Sequence, residues 1–119
     1  MSNNYVSEGE IVQHTAAANL TSGVPFVMGN LLAIPMVDIA SGETGSVAIS
    51  GVYDLPKASA AVIAQGETVN FDVSAGNIDD NAATPATGDH SAGCIAAEPG
   101  INTQLFIKVK LNIAVGTVT

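Results

Sequence analysis

The sequence contains no arginine, no tryptophan and a single cysteine, and three lysines stand against eleven carboxylates for a net charge of −8. Binding a phosphate backbone requires cationic side chains that displace counterions, so nucleic acid is set aside as a partner. The same shortage disfavours an anionic membrane surface. Cys94 alone cannot form an internal disulfide, and nothing in the chain points to an oxidising compartment. The opening "MSNNYVSEGE" has neither the basic nor the apolar region of a secretory signal. Residues 11–37 carry no charge, but Gln13, His14, Asn19, Thr21, Ser22, Asn30, prolines and glycines interrupt them. No apolar run of about 18 residues survives to cross a membrane. The expectation is a soluble product made in a cytoplasm.

Catalytic signatures are missing too. There is no phosphate-binding P-loop, no dinucleotide glycine pattern, no H-E-x-x-H and no C-x-x-C. His14 and His90 are the only imidazoles. "DHSAGC" sets Asp89, His90, Ser91 and Cys94 close together, but triad partners must converge from separate elements, and neighbours along a chain rarely do. The plainer reading is a polar loop entering a strand, with Cys94 a small buried side chain. Asp79, Asp80 and Asp89 supply oxygens of the kind calcium takes, yet the EF-hand spacing is absent and a solvated acidic loop is the simpler expectation. "NLT" at 19–21 matches a glycosylation acceptor by chance. The sequence predicts no enzyme, no cofactor and no metal.

What is present is dense punctuation. A chain of 119 residues makes one domain and buries roughly two-thirds of its unfolded surface. Hydrophobic residues are 47% and charged residues 12% of the chain, the latter about half the usual share. Turn signals at "TSG", "GN", "SGETG", "LP", "QGE", "SAGN" and "EPG" separate short runs rich in Val, Ile, Phe and Thr. That spacing predicts an all-β sandwich or barrel. In "TVNFDV", Val69, Phe71 and Val73 face inward while Asn70 and Asp72 face solvent. In "LFIKVKLNI", Leu105, Ile107, Val109 and Leu111 face inward and alternate with Phe106, Lys108, Lys110 and Asn112.

The segment "PKASAAVIAQG" competes for a short helix or turn, with Pro56 at its start and Gly66 at its end, or for an extended small-residue bridge. Lys57 within it reads as a solvated lysine. The stretch from Asp79 to Ser91 reads as a long exposed loop. Residues 1–10 read as an arm that lies on something outside the domain, leaving residues 11–119 as the β-domain.

The order of these segments resembles the capsid cement, or head decoration, proteins of tailed bacteriophages. The resemblance rests on "GVYDLPKA" (Gly51, Val52, Tyr53, Leu55, Pro56, Lys57 and Ala58), then "QGETVNFDVSAGNI" (Gly66, Val69, Phe71, Asp72 and Gly76), then the closing "IKVKLN" with Val109 and Leu111. The early "VSEGEIVQHTA" and "TSGVPFVMGNLLAI" also fit, so nearly the whole chain takes part. The chain departs from the pattern in its longer "DDNAATPATGDHS" loop and its arginine-free last strand.

The resemblance implies a small single-domain β-barrel or β-sandwich with an extended N-terminal arm and at most one short helix. "GVYDLPKA" would be architecture, with Val52 and Leu55 in the core and Pro56 ending a strand. It further implies a protein made in the host cytoplasm and carried on the outer surface of the virion capsid. There it would bind the major capsid protein and itself, as a homotrimer ahead of a homodimer. Asn3, Asn4, Tyr5 and Val6 of the arm would contact the shell, with Tyr5 as anchor. Two rival readings stand beside it. A receptor- or glycan-binding tail or fibre domain would usually show more exposed aromatics. A small β-barrel hydrolase or isomerase would need a convergent set of acids or histidines.

Overall fold

A computed structural model describes residues 9–82 and 84–119. Two antiparallel sheets stack face to face. The smaller contains β1 (Ile11–Thr15), β2 (Phe26–Met28), β3 (Leu31–Pro35) and β4 (Thr44–Ala48) in the order β1-β4-β3-β2. The larger contains β5 (Val52–Pro56), β6 (Thr68–Asp72), β7 (Asn77–Asp80), β8 (His90–Ala96) and β9 (Phe106–Lys110) in the order β5-β9-β8-β6-β7. β10 (Thr117–Val118) pairs with the start of β8. The larger sheet curls until β5 and β7 touch through one parallel bridge, Lys57 with Ile78. A single bridge does not close a barrel, and the fold is an open sandwich.

Local chemistry explains the turns. β2 and β3 are joined by Gly29 and Asn30 alone, with Gly29 at φ +60°. A two-residue hairpin needs such a backbone at its first turn position, and glycine takes it without a Cβ penalty.

The main core lies between the sheets. Leu32 and Ile34 of the small sheet meet Leu55, Val69, Phe71, Ile78, Ile107 and Val109 of the large one. Each such side chain, fully buried, contributes about 1.5–3 kcal/mol. A second, smaller core of Ala16, Ala33, Ile39 and Val47 sits on the other face of the small sheet. The loops around Leu20 and Ile39, bridged to each other, cover it.

No helix forms among the described residues, and of the alternatives for the 56–66 segment the bridge is the one observed. The backbone N–H groups of Lys57, Ala58 and Ile63 donate instead to Leu105, Ile78 and Gly100, which draws the 56–66 segment out as a bridge with turns. Several other expectations require correction. The acidic loop is shorter than expected, since Asp79 and Asp80 belong to β7 and His90 and Ser91 to β8. Val73 and Leu105 are exposed, because β6 has ended before the one and β9 begins after the other. Asn70 is buried rather than solvent-facing, since Asn81 and Pro85 of the following loop lie beside it.

Candidate binding surface

The "GVYDLPKA" segment crosses from the small sheet to the large one. Gly51 makes the turn at φ +108°, and its carbonyl accepts from Leu111 N–H at 2.9 Å. Leu55 is buried and Tyr53 packs against the main core. Val52, expected in the core, is 53% exposed. The strand's alternation places Tyr53 and Leu55 inward, which leaves Val52, Asp54 and Pro56 on the outer face. Pro56 ends β5 opposite Phe106. Val69 and Phe71 of β6 are both buried.

Lys57, expected in solvent, is only 4% exposed. Its Nζ donates to the carbonyls of Ala58 (2.7 Å), Ser59 (3.3 Å) and Ala61 (2.6 Å). All three N–H bonds of an ammonium are used within five residues of chain. The loop is therefore wrapped around the cation, and Lys57 serves the fold.

The "DHSAGC" residues are used in the same way. Asp89 accepts from the N–H groups of Val73 (3.1 Å) and Ala86 (2.8 Å). His90 Nε2 bonds the carbonyl of Asn30 at 3.0 Å, and Ser91 Oγ donates to Thr117 O at 3.4 Å. Cys94 Sγ accepts from Asn112 N–H at 3.4 Å, and burial pushes its thiol up. No hydrogen bond joins any two of the four. Among the described residues, no group of three or more His, Cys, Asp or Glu side chains is arranged to hold a metal ion. Two shallow hollows, of about 400 and about 350 Å³, are lined mainly by small and polar residues.

His90 carries a measurable consequence. A Cβ on Gly93 would stand 2.8 Å from its Cε1, and one on Gly116 would run into the same ring, so the site is built around the imidazole. Burial pushes its pKa below the ordinary 6.5, with the Asn30 carbonyl opposing in part. The unfolded chain thus takes up this proton first as pH falls. Stability is intact above about pH 6.5 and is lost as pH falls from there toward the folded value. Thermal melts between about pH 7 and about pH 5.5 should show a falling Tm; a flat profile would contradict the account of His90.

Asn112 was missed by the sequence reading, which placed it on a solvent face. It sits at φ +50° just beyond β9 and turns its carboxamide between the sheets. Nδ2 donates to Leu32 O and Ile49 O, each at 2.8 Å, and Oδ1 accepts from Leu32 N–H at 3.1 Å. Continuing the β3–β4 register from Ile34↔Ala48 would set Leu32 opposite Ser50, outside β4. The amide of Asn112 supplies the donor and acceptor that a strand residue would have offered there. The signal in the sequence was an Asn at the end of an alternating run, a residue type that after glycine tolerates a left-handed backbone better than most.

The surface that remains is apolar at one end. Loops 57–63 and 100–105 are laced together by Ile63 N–H to Gly100 O and Thr103 N–H to Ser59 O. They present Val62, Ile101 and Leu105, and Phe106 follows as the first residue of β9; all four are more than half exposed. Beside them, Lys108 faces Asp54 across the β5–β9 pair and lies 3.9 Å from Glu98. With Lys57 buried, Lys108 and Lys110 of β9 are the exposed lysines, and along this face they stand against Asp54 and Glu98. Asn3, Asn4, Tyr5 and Val6 lie outside the described residues.

Lys57, Asp89, His90 and Asn112 spend their polar groups on the chain's own backbone, and an apolar end is left at the surface. The chain matches the family model for phage cement proteins over residues 6–111, and it belongs to that family. No curated protein shows significant similarity to it. Membership implies a structural, non-enzymatic role in the virion, on the outside of the capsid and bound to capsid proteins.

Proposed function

We propose that the protein binds the expanded phage head, bridges neighbouring major capsid protein subunits and holds the shell against the pressure of packed DNA. The family match over residues 6–111 carries this reading. The mechanism is mass action. A ligand that binds only the expanded lattice stabilises that lattice by its binding free energy. Each docking needs only a standard interface, upward of about 1,000 Å² in total. Bridging several subunits raises apparent affinity by roughly 10²–10⁴ through effective concentration.

The apolar end at Val62, Ile101, Leu105 and Phe106 is the surface on which copies associate, as a homotrimer at local threefold positions, with a dimer at twofolds as the alternative. It is the face where acidic chains can approach with least repulsion. The arm reaches the shell through Asn3, Asn4, Tyr5 and Val6, with Tyr5 as anchor. Deleting residues 1–8 should sharply lower occupancy on bare heads, read by gel densitometry of sedimented particles. Undiminished occupancy would remove the arm from the account.

A further inference from the structure

We propose that the outer edge of β1 is a docking site for an extended strand of the capsid protein, which joins the small sheet as a fifth strand. The proposal rests on the capsid-binding reading above and assigns it a surface. The direction of the β1 backbone is fixed by its flanks. Ile49 N–H donates to Glu10 O at 3.0 Å and Ala16 N–H to Glu43 O at 2.9 Å, so the even-numbered residues turn their amides toward β4. Successive residues of a strand alternate. The N–H and C=O groups of Ile11, Gln13 and Thr15 therefore point away from β4, and no described residue pairs with them.

Natural sheets protect their edges with short strands, charge, proline or bulges. Every other edge here carries such a device. β2 has three residues and β10 two. β7 bears Asp79 and Asp80, and β5 carries Asp54, ends in Pro56 and is bridged to β7 just beyond, at Lys57. β1, "IVQHT", has five residues, no charge, no proline, no glycine and an unbroken register with β4. An edge left open in this way is an edge that becomes covered.

Charge selects the occupant. A second copy added antiparallel about Gln13 would set Glu10 of each chain opposite Ala16 of the other, next to Glu43. Both glutamates are exposed, and the pairing would gather four carboxylates. A capsid strand that is neutral or basic at its ends meets no such repulsion. On one face it lies along Gln13 and Thr15, which bond across to Ser46 and Thr44 at 2.8 Å each, and this favours small polar side chains. On the other it lies along the half-buried Val12 and His14, whose ring packs against Phe26 at 5.2 Å, and this favours apolar ones.

The geometry supplies its own test. Gln13→Pro removes an outward N–H that the β4 ladder does not use, the setting in which an edge strand tolerates proline. Ile11→Pro does the same at the strand's first residue and serves if the first variant folds poorly, as judged by circular dichroism and Tm. Wild-type and variant full-length chains are titrated onto bare expanded heads. The expected result is folded variants whose attachment is weaker by at least about tenfold, from lost main-chain hydrogen bonds. Folded variants that attach as well as wild type overturn the edge proposal and leave the capsid-binding reading standing. Failure of the wild-type chain to attach overturns both. A map of decorated heads should show a capsid-protein strand beside Ile11–Thr15. Residues 1–8 of the same chain, or a second copy, in that place would overturn the proposal.

Discussion

Replacing Asn112 by alanine is expected to lower stability by about 3–5 kcal/mol, close to the upper end for single substitutions. Three side-chain hydrogen bonds to the backbone and a long one from the Cys94 thiol disappear, and Leu32 N–H, Leu32 O and Ile49 O lose the partner that joins them to the opposite sheet. A buried polar group left without a partner costs about 1–3 kcal/mol. Alanine also resists a φ of +50°, which adds about 1 kcal/mol. Asn112→Gly separates the two effects, because glycine takes that backbone freely. Urea unfolding of the three proteins should place the glycine variant only slightly above the alanine one. Recovery of most of the stability in the glycine variant would mean that the backbone, not the amide bridge, is the stabilising feature.

The second large effect belongs to Lys57. Lys57→Met keeps the apolar stem and removes the ammonium. Ala58 O and Ser59 O still receive the N–H groups of Ala61 and Thr103, but Ala61 O keeps no described donor. Hydrogen bonds to a charged group contribute about 1.5–3 kcal/mol each. Relief from burying a cation offsets part of their loss. A net loss of about 2–4 kcal/mol follows, a fall in Tm of about 10 °C in a domain of this size. A surface lysine, as the sequence suggested, would change stability by less than about 0.5 kcal/mol. Differential scanning calorimetry decides between the two, and a Tm unmoved by the substitution would contradict the buried cage.

These two residues mark the limit of what the sequence made legible. Alternation was readable in β6 and β9 because each buries one row of side chains in the main core: Val69 and Phe71, Ile107 and Val109. The "GN" turn was readable because a two-residue hairpin leaves few choices of residue. Alternation has a phase, however, and a run cannot say where its strand starts. Val73 and Leu105 were assigned inward on that ground, and each stands just beyond a strand end; Val52 was placed in the core by the resemblance, and the alternation of β5 turns it outward. Lys57 and Asn112 are polar residues whose partners are backbone carbonyls. A carbonyl has no letter in a sequence, so both were read as solvated. For Lys57 the carbonyls lie one to four residues away; for Asn112 they lie eighty and sixty-three residues away. Of the proposed binding surface, the arm was named from composition. The open edge of β1 appears only when all the sheet edges are compared.

The central claim is attachment to the expanded shell with a gain in its strength. Heads lacking the protein, filled with DNA, are heated with and without purified full-length chain while DNA release is followed by dye fluorescence. The account predicts that the chain sediments with expanded heads, does not sediment with unexpanded ones, and raises the temperature of DNA release. A chain that stays in the supernatant, or that binds without shifting release, would contradict it.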